Sequence, residues 1–156
     1  MIKQLEKNPY ISYTITILIA LTIFYFSSLN SQQTGSAGSS IKPIVYHISI
    51  FFLLSLFLLI SLVKGKNKKF ILPVIIISLL YAVSDEIHQS FVSGRSSSFA
   101  DLGLDSIGIF LGFLLYSISL RYRKIRKDSS SDLLKHSEKV AKKLWDNKED
   151  EVWNNV

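Results

Sequence analysis

Two carboxylates, an imidazole and an amide fall within two helical turns in Ser84-Asp85-Glu86-Ile87-His88-Gln89-Ser90-Phe91-Val92, and Arg95 follows across Ser93-Gly94. On a helix Asp85, His88 and Gln89 stand at i, i+3 and i+4 and share a face, with Glu86 on its shoulder. Asp101 and Asp105, four residues apart, share a face of the next segment. The short connection between the two segments makes them antiparallel neighbours. His47, one turn into an earlier apolar segment, enters from the same side and can join the group.

These residue types allow three kinds of chemistry. Asp, Glu and His together can ligate a divalent cation, oxygen suiting Mg²⁺ or Ca²⁺ and imidazole suiting Zn²⁺. The spacing Asp85-Glu86-x-His88 is no recognised ligand signature, so no metal site is expected from it. Alternatively Asp85, Glu86 and His88 are catalytic candidates, acting as general acid and base on a lipid head group. Arg95, whose guanidinium can take a phosphate bidentately, would then bind substrate with Gln89, Asp101, Asp105 and His47. In the third arrangement the charged groups satisfy one another, with Arg95 pairing Asp101 or Glu86 and fixing a helix hairpin.

The surrounding elements are hydrocarbon-spanning. The chain has 156 residues, one domain at most, and 48% of them are hydrophobic, more than a small soluble domain needs. With no cysteine, a disulfide framework and a thiolate metal site are both excluded. Between Lys7 and Lys42 there is no charged side chain, and 10–29 has the length that a bilayer core requires. That run is too long for a signal peptide, although Ser36-Ala37-Gly38 has the small residues of a cleavage site. After a polar Ser/Gln/Gly loop at 31–40, further spans are expected at 44–63, 70–92 and 100–120. Pro43 and Pro73 fall in first turns, where a missing donor costs nothing. Gly108 and Gly112 make a small-xxx-small spacing that lets another helix approach closely, within the bundle or in a second copy.

The net charge of +6 sits in clusters beside these runs, which points to membrane orientation and away from nucleic acid. Four lysines crowd 64–69 and five cations follow Leu120, whereas the loops around Lys42 and Arg95 carry one each. By the positive-inside rule both termini and the lysine loop are cytoplasmic, and the Asp85–Asp101 region faces outward. The fold class is therefore an all-α integral membrane protein of four transmembrane helices. We divide it into a membrane domain, 1–127, and a polar cytoplasmic tail, 128–156. In the tail Ser129-Ser130-Ser131-Asp132 can cap a helix with Leu134, Ala141, Leu144 and Trp145 near one face, ahead of the acidic Glu149-Asp150-Glu151. Tyr10, Tyr13, Tyr46, Tyr116 and Tyr122, near span ends, are expected in the interfacial belt.

At Ser84-Asp85-Glu86-Ile87-His88-Gln89-Ser90-Phe91-Val92, Gly94-Arg95, Asp101, Gly108 and Gly112, the sequence resembles the VanZ-like family of small bacterial membrane proteins. That family's pattern is roughly S-D-E-x-x-Q-x-F-x-P-G-R followed by D-x-x-x-N-x-x-G. Ser27-Ser28, Lys42 and His47 also look like family positions, so the resemblance covers about 25–120. Ser93 stands where proline is usual, Asp105 where asparagine is common, and Phe51 where tyrosine is frequent. The resemblance implies a cell-envelope role in a Gram-positive cell, linked to resistance to teicoplanin-type glycopeptides. On the binding reading the protein shields a lipid-linked cell-wall precursor or engages the glycopeptide, with membrane lipid as its medium. On the enzymatic reading it acts on a lipid head group through Asp85, Glu86, His88 and Arg95. No cofactor is indicated, and a homo-oligomer through Gly108 and Gly112 is one further expectation. Four spans without an internal repeat leave little room for alternating access.

Overall fold

The structure, a computed structural model, describes residues 2–30, 41–95 and 98–145. Residues 31–40 with Ser36-Ala37-Gly38, Ser96 and Ser97, and Glu149-Asp150-Glu151 lie outside those residues. The described chain forms α1 (Ile2–Lys7), α2 (Pro9–Ser27), α3 (Ile41–Val63), a 3-10 turn (Lys68–Phe70), α4 (Ile71–Ser90) and α5 (Phe99–Trp145). No strand occurs among the described residues.

Helix α2 buries its hydroxyls and exposes its hydrocarbon. Ser12, Thr16, Ile23 and Ser27 form the buried stripe, while Ile17, Leu18, Leu21, Phe24 and Tyr25 are more than half exposed. In water that arrangement would be inverted, because apolar area is driven out of solvent. In lipid it is the stable one, since tails are as apolar as leucine and helix contacts favour small and polar residues. Two of these hydroxyls are satisfied: Ser12 Oγ donates to Leu5 O at 2.7 Å, and Thr16 Oγ1 donates to Ser12 O at 2.8 Å and meets Ser61 Oγ of α3 at 3.2 Å. Four helices are long and apolar enough to cross a membrane, Tyr10–Ser27, Ile41–Val63, Lys68–Ser90 and the start of Phe99–Trp145. This is an all-α, four-span membrane protein.

Helix α3 is the most buried element. Phe51 and Leu59 are fully buried on it, and Phe51 and Leu54 join Ile23 of α2, Ala82 of α4 and Ile109 of α5 in the core. Tyr81 of α4 reaches across to donate to Ala20 O of α2 at 2.8 Å. The turn after α4 closes through Gly94 at φ +79°, a conformation that side chains rarely adopt, with Arg95 N donating to Val92 O at 3.1 Å.

Helix α5 meets α3 over its two glycines. A Cβ on Gly108 would strike the Ile48 carbonyl oxygen, and one on Gly112 would strike the Ser55 hydroxyl and lie 2.8 Å from Phe52 O. The small-xxx-small stripe is thus taken up inside the chain, and the order of its contacts makes the two helices run parallel. The first compact unit ends at Ser117. The second, described from Ile118 to Trp145, is one continuous helix, exposed throughout from Lys124 onward. The cap expected at Ser129–Asp132 is not used, because these residues lie within uninterrupted helix.

Gly108→Ala and Gly112→Ala should each destabilise the purified protein by about 2 kcal/mol through overpacking against α3 backbone and Ser55. Gly103, which has nothing within 4 Å of an added Cβ, is the control. Gly103→Ala should melt at or above the wild-type temperature in the same detergent, since alanine is the better helix former.

Candidate functional site

Asp105 lies one turn before Gly108 on α5, so the close approach of the backbones sets its carboxylate against α3. Its Oδ1 meets His47 Nδ1 at 2.8 Å, and both side chains are buried. Glu86 comes to them from α4, also buried, and its Oε2 accepts the Ser98 backbone N–H at 2.9 Å. One ligand-capable atom from each of His47, Glu86 and Asp105 lies within 4.8 Å of the other two. The second oxygens, Glu86 Oε1 and Asp105 Oδ2, are buried without a hydrogen-bond partner among the described residues. Asp101 is within electrostatic reach of both His47 and Glu86, and Arg95 within reach of Tyr46, next to His47.

The structure thus brings His47, Glu86 and Asp105 together from three helices, a grouping that the sequence pattern allows. Asp85 and Gln89 keep the expected i, i+4 relation, Gln89 Nε2 donating to Asp85 Oδ2 at 2.8 Å, and both are buried. His88 does not join them. It turns toward α2, stacking on Phe24 at 4.7 Å between ring centroids with Ser28 Oγ 3.0 Å from Nε2. Arg95 pairs with neither Asp101 nor Glu86 among the described residues. The position expected for its guanidinium on Glu86 is held by the Ser98 N–H, so backbone and not a salt bridge ties the α4–α5 hairpin.

Ser98 is a contributor that the motif reading passes over. Its signal is Ser98-Phe99-Ala100-Asp101, a capping-box spacing at a helix start, and Ser98 Oγ does accept from Ala100 N at 3.1 Å. Tyr116 is a second correction. Far from being an interfacial residue it is fully buried, donating to Glu6 Oε1 and accepting from Gly65 N, each at 3.0 Å. Tyr46 is half-buried, with its hydroxyl enclosed, and also departs from the belt. Tyr10 and Tyr122 are exposed as a belt residue should be.

Beside Glu86 a cleft of about 240 Å³ opens between α4 and the start of α5, lined by Val83, Glu86, Ile87, Ser90, Ser98, Phe99 and Leu102. Val83, Ile87, Phe99 and Leu102 give it an apolar wall, and Glu86, Ser90 and Ser98 are its polar lining. Such a shape suits a molecule with a hydrocarbon part and a polar head.

The His47–Asp105 contact is a buried pair, whose members depend on each other more than the fold depends on the pair. Asp105→Ala should therefore cost about 3 kcal/mol by stranding the imidazole. Ser28→Ala, which removes two exposed contacts, the hydrogen bond from Ser28 Oγ to Phe24 O and its approach to His88, should cost less than about 0.5 kcal/mol. Thermal unfolding of the two purified variants in one detergent reads the difference.

The model of the VanZ/LLP1 family matches residues 10–120, which is most of the chain and holds every residue of the buried cluster. No curated protein and no solved structure matches the chain. The family match and the four apolar helices agree with the motif in α4 and its turn: the chain belongs to the VanZ/LLP1 family.

Proposed function

We propose that this protein is a cell-envelope component that lowers susceptibility to teicoplanin-type glycopeptides by binding a lipid-linked cell-wall component and shielding it. The observation that carries this reading is the cleft between α4 and α5. Val83, Ile87, Phe99 and Leu102 offer hydrocarbon, while Glu86, Ser90 and Ser98 offer a carboxylate and hydroxyls to a polar head. A lipid-linked precursor combines those two parts. Orientation of the lysine loop and the C-terminal cations toward the cytoplasm would put the cleft at the outer leaflet, where such a component meets a glycopeptide.

A second reading has a specific observation behind it. Glu86 belongs both to the cleft and to the buried cluster with His47 and Asp105. A carboxylate that faces a head group and is backed by a His–Asp pair is an arrangement for moving a proton, as an enzyme acting on lipid head groups would need. In that reading Glu86 is the reacting base, and the pair behind it sets its protonation.

The two readings separate in a glycopeptide-sensitive Gram-positive host expressing wild type, Glu86→Gln or Ser90→Trp at matched membrane levels. Shielding predicts that wild type protects, that Glu86→Gln keeps part of the protection and that Ser90→Trp, which fills the cleft, loses it. Catalysis predicts that Glu86→Gln loses protection completely at unchanged abundance. Equal protection by all three would remove the cleft from the function.

A further inference from the structure

The geometry points to a divalent cation held by His47, Glu86 and Asp105 inside the bundle, a site distinct from the run Asp85-Glu86-x-His88 that the sequence pattern offers. This inference does not rest on the lipid-binding reading, since it needs only the three ligand groups.

Three observations carry it. The first is convergence. One ligand atom from each residue lies within 4.8 Å of the others, and these atoms come from α3, α4 and α5. Ligand atoms around a tetrahedral cation at 2.0–2.2 Å stand about 3.3–3.6 Å apart, so closing the site from separations of up to 4.8 Å takes side-chain motion on the order of 1 Å. The second is the pair of carboxylate oxygens left over. Glu86 Oε1 and Asp105 Oδ2 are buried without a hydrogen-bond partner among the described residues, a state that is costly for an acceptor and more so for a charged one. A cation would satisfy both.

The third is charge. Two carboxylates and one imidazole sit among helices whose outward faces are hydrocarbon. With both carboxylates ionised the cluster is −2, or −1 if His47 is protonated, in a medium where an isolated charge is costly. A divalent ion with a neutral imidazole brings the sum to zero. Nearby groups do not do this: Asp101 adds negative charge, and Arg95 pairs with neither Glu86 nor Asp101.

The donor set selects the ion class. One imidazole nitrogen and two carboxylate oxygens suit a borderline ion such as Zn²⁺ or Mn²⁺. Mg²⁺ and Ca²⁺ prefer all-oxygen surroundings, and Mg²⁺ keeps several waters. Three protein ligands leave a coordination position open, as in sites where a metal meets a substrate or water. Ser98, by donating to Glu86 Oε2, orients one of the ligands from the hairpin side.

The test uses full-length, tag-free protein in detergent, stripped with chelator and titrated with Zn²⁺, Mn²⁺, Mg²⁺ and Ca²⁺. Metal content and calorimetry should show one Zn²⁺ or Mn²⁺ per chain, a rise in melting temperature on loading, and at least tenfold weaker Mg²⁺ and Ca²⁺ binding. Glu86→Gln and Asp105→Asn, which preserve shape, should each weaken Zn²⁺ by about tenfold or more. His136→Gln, in the exposed second unit, should leave it unchanged. If wild type binds no cation, or if Glu86→Gln and Asp105→Asn bind as tightly as wild type, the site is overturned. Binding that falls with His136→Gln would overturn it equally, by placing the ion on the tail. None of these readouts requires resistance activity, so failure here and failure of the shielding reading are distinguishable.

Discussion

The contact on which the rest depends is the parallel approach of α5 to α3 across Gly108 and Gly112. Any side chain at either position would collide with the α3 backbone or with Ser55, so the two glycines set both distance and register. Asp105, Gly108 and Gly112 lie on one face of α5, and the register that seats the glycines on Ile48, Phe52 and Leu56 also seats Asp105 on His47. The buried pair follows from backbone proximity. Attraction between the two side chains, after the cost of taking them from water, supplies little of it. A core of Phe51, Leu54, Ile23, Ala82 and Ile109 fills the space beyond.

Within that frame the polar groups are arranged by depth and by cost. Thr16 on α2 and Ser61 on α3 satisfy their hydroxyls on preceding carbonyls and on each other, which lets helices pack without a hydrophobic driving force. At one end of the bundle Tyr116 ties Glu6 of α1 and the turn at Gly65 together. At the other end the cluster of His47, Glu86 and Asp105 is left with two unsatisfied oxygens. Structural glue is normally complete, as the Tyr116 contacts and the Asp85–Gln89 pair are. The two orphaned carboxylate oxygens, beside a cleft that shares Glu86, are the observation on which the binding proposal rests.

Much of this was legible in the sequence, and the remainder was missing for a definite reason. Span positions follow from apolar length, and the described helices begin and end within about three residues of where composition places them, except that α5 continues through the expected end of the fourth span at Leu120 to Trp145. His47, Glu86, Asp101 and Asp105 were all recognisable as candidates because ionisable groups in such segments stand out. Their convergence from three segments follows from the antiparallel connection and the position of His47, but helical spacing also joins His88 to Asp85 and Gln89, and there it fails. It does not say which neighbour each face of α4 meets, and α4 has neighbours on more than one side. Glu86 faces α5 and its hairpin while His88 faces α2, an assignment made by tertiary packing. Tyr116 was misplaced for a similar reason. A tyrosine near a span end is ordinarily interfacial, and partners distant in sequence, among them Glu6 and the Gly65 N–H, give this one a reason to turn inward.

The central claim is that the His47–Glu86–Asp105 cluster serves binding and is not needed to hold the bundle together. The most direct measurement is the melting temperature of chelator-stripped wild type against His47→Leu/Glu86→Met/Asp105→Val. Replacing all three groups together with apolar side chains leaves no stranded partner, unlike removal of one. The account predicts that the triple variant melts at or above the wild-type temperature in the same detergent. A variant that melts well below stripped wild type, or fails to fold while Gly103→Ala folds normally, would contradict it and make the cluster a structural element.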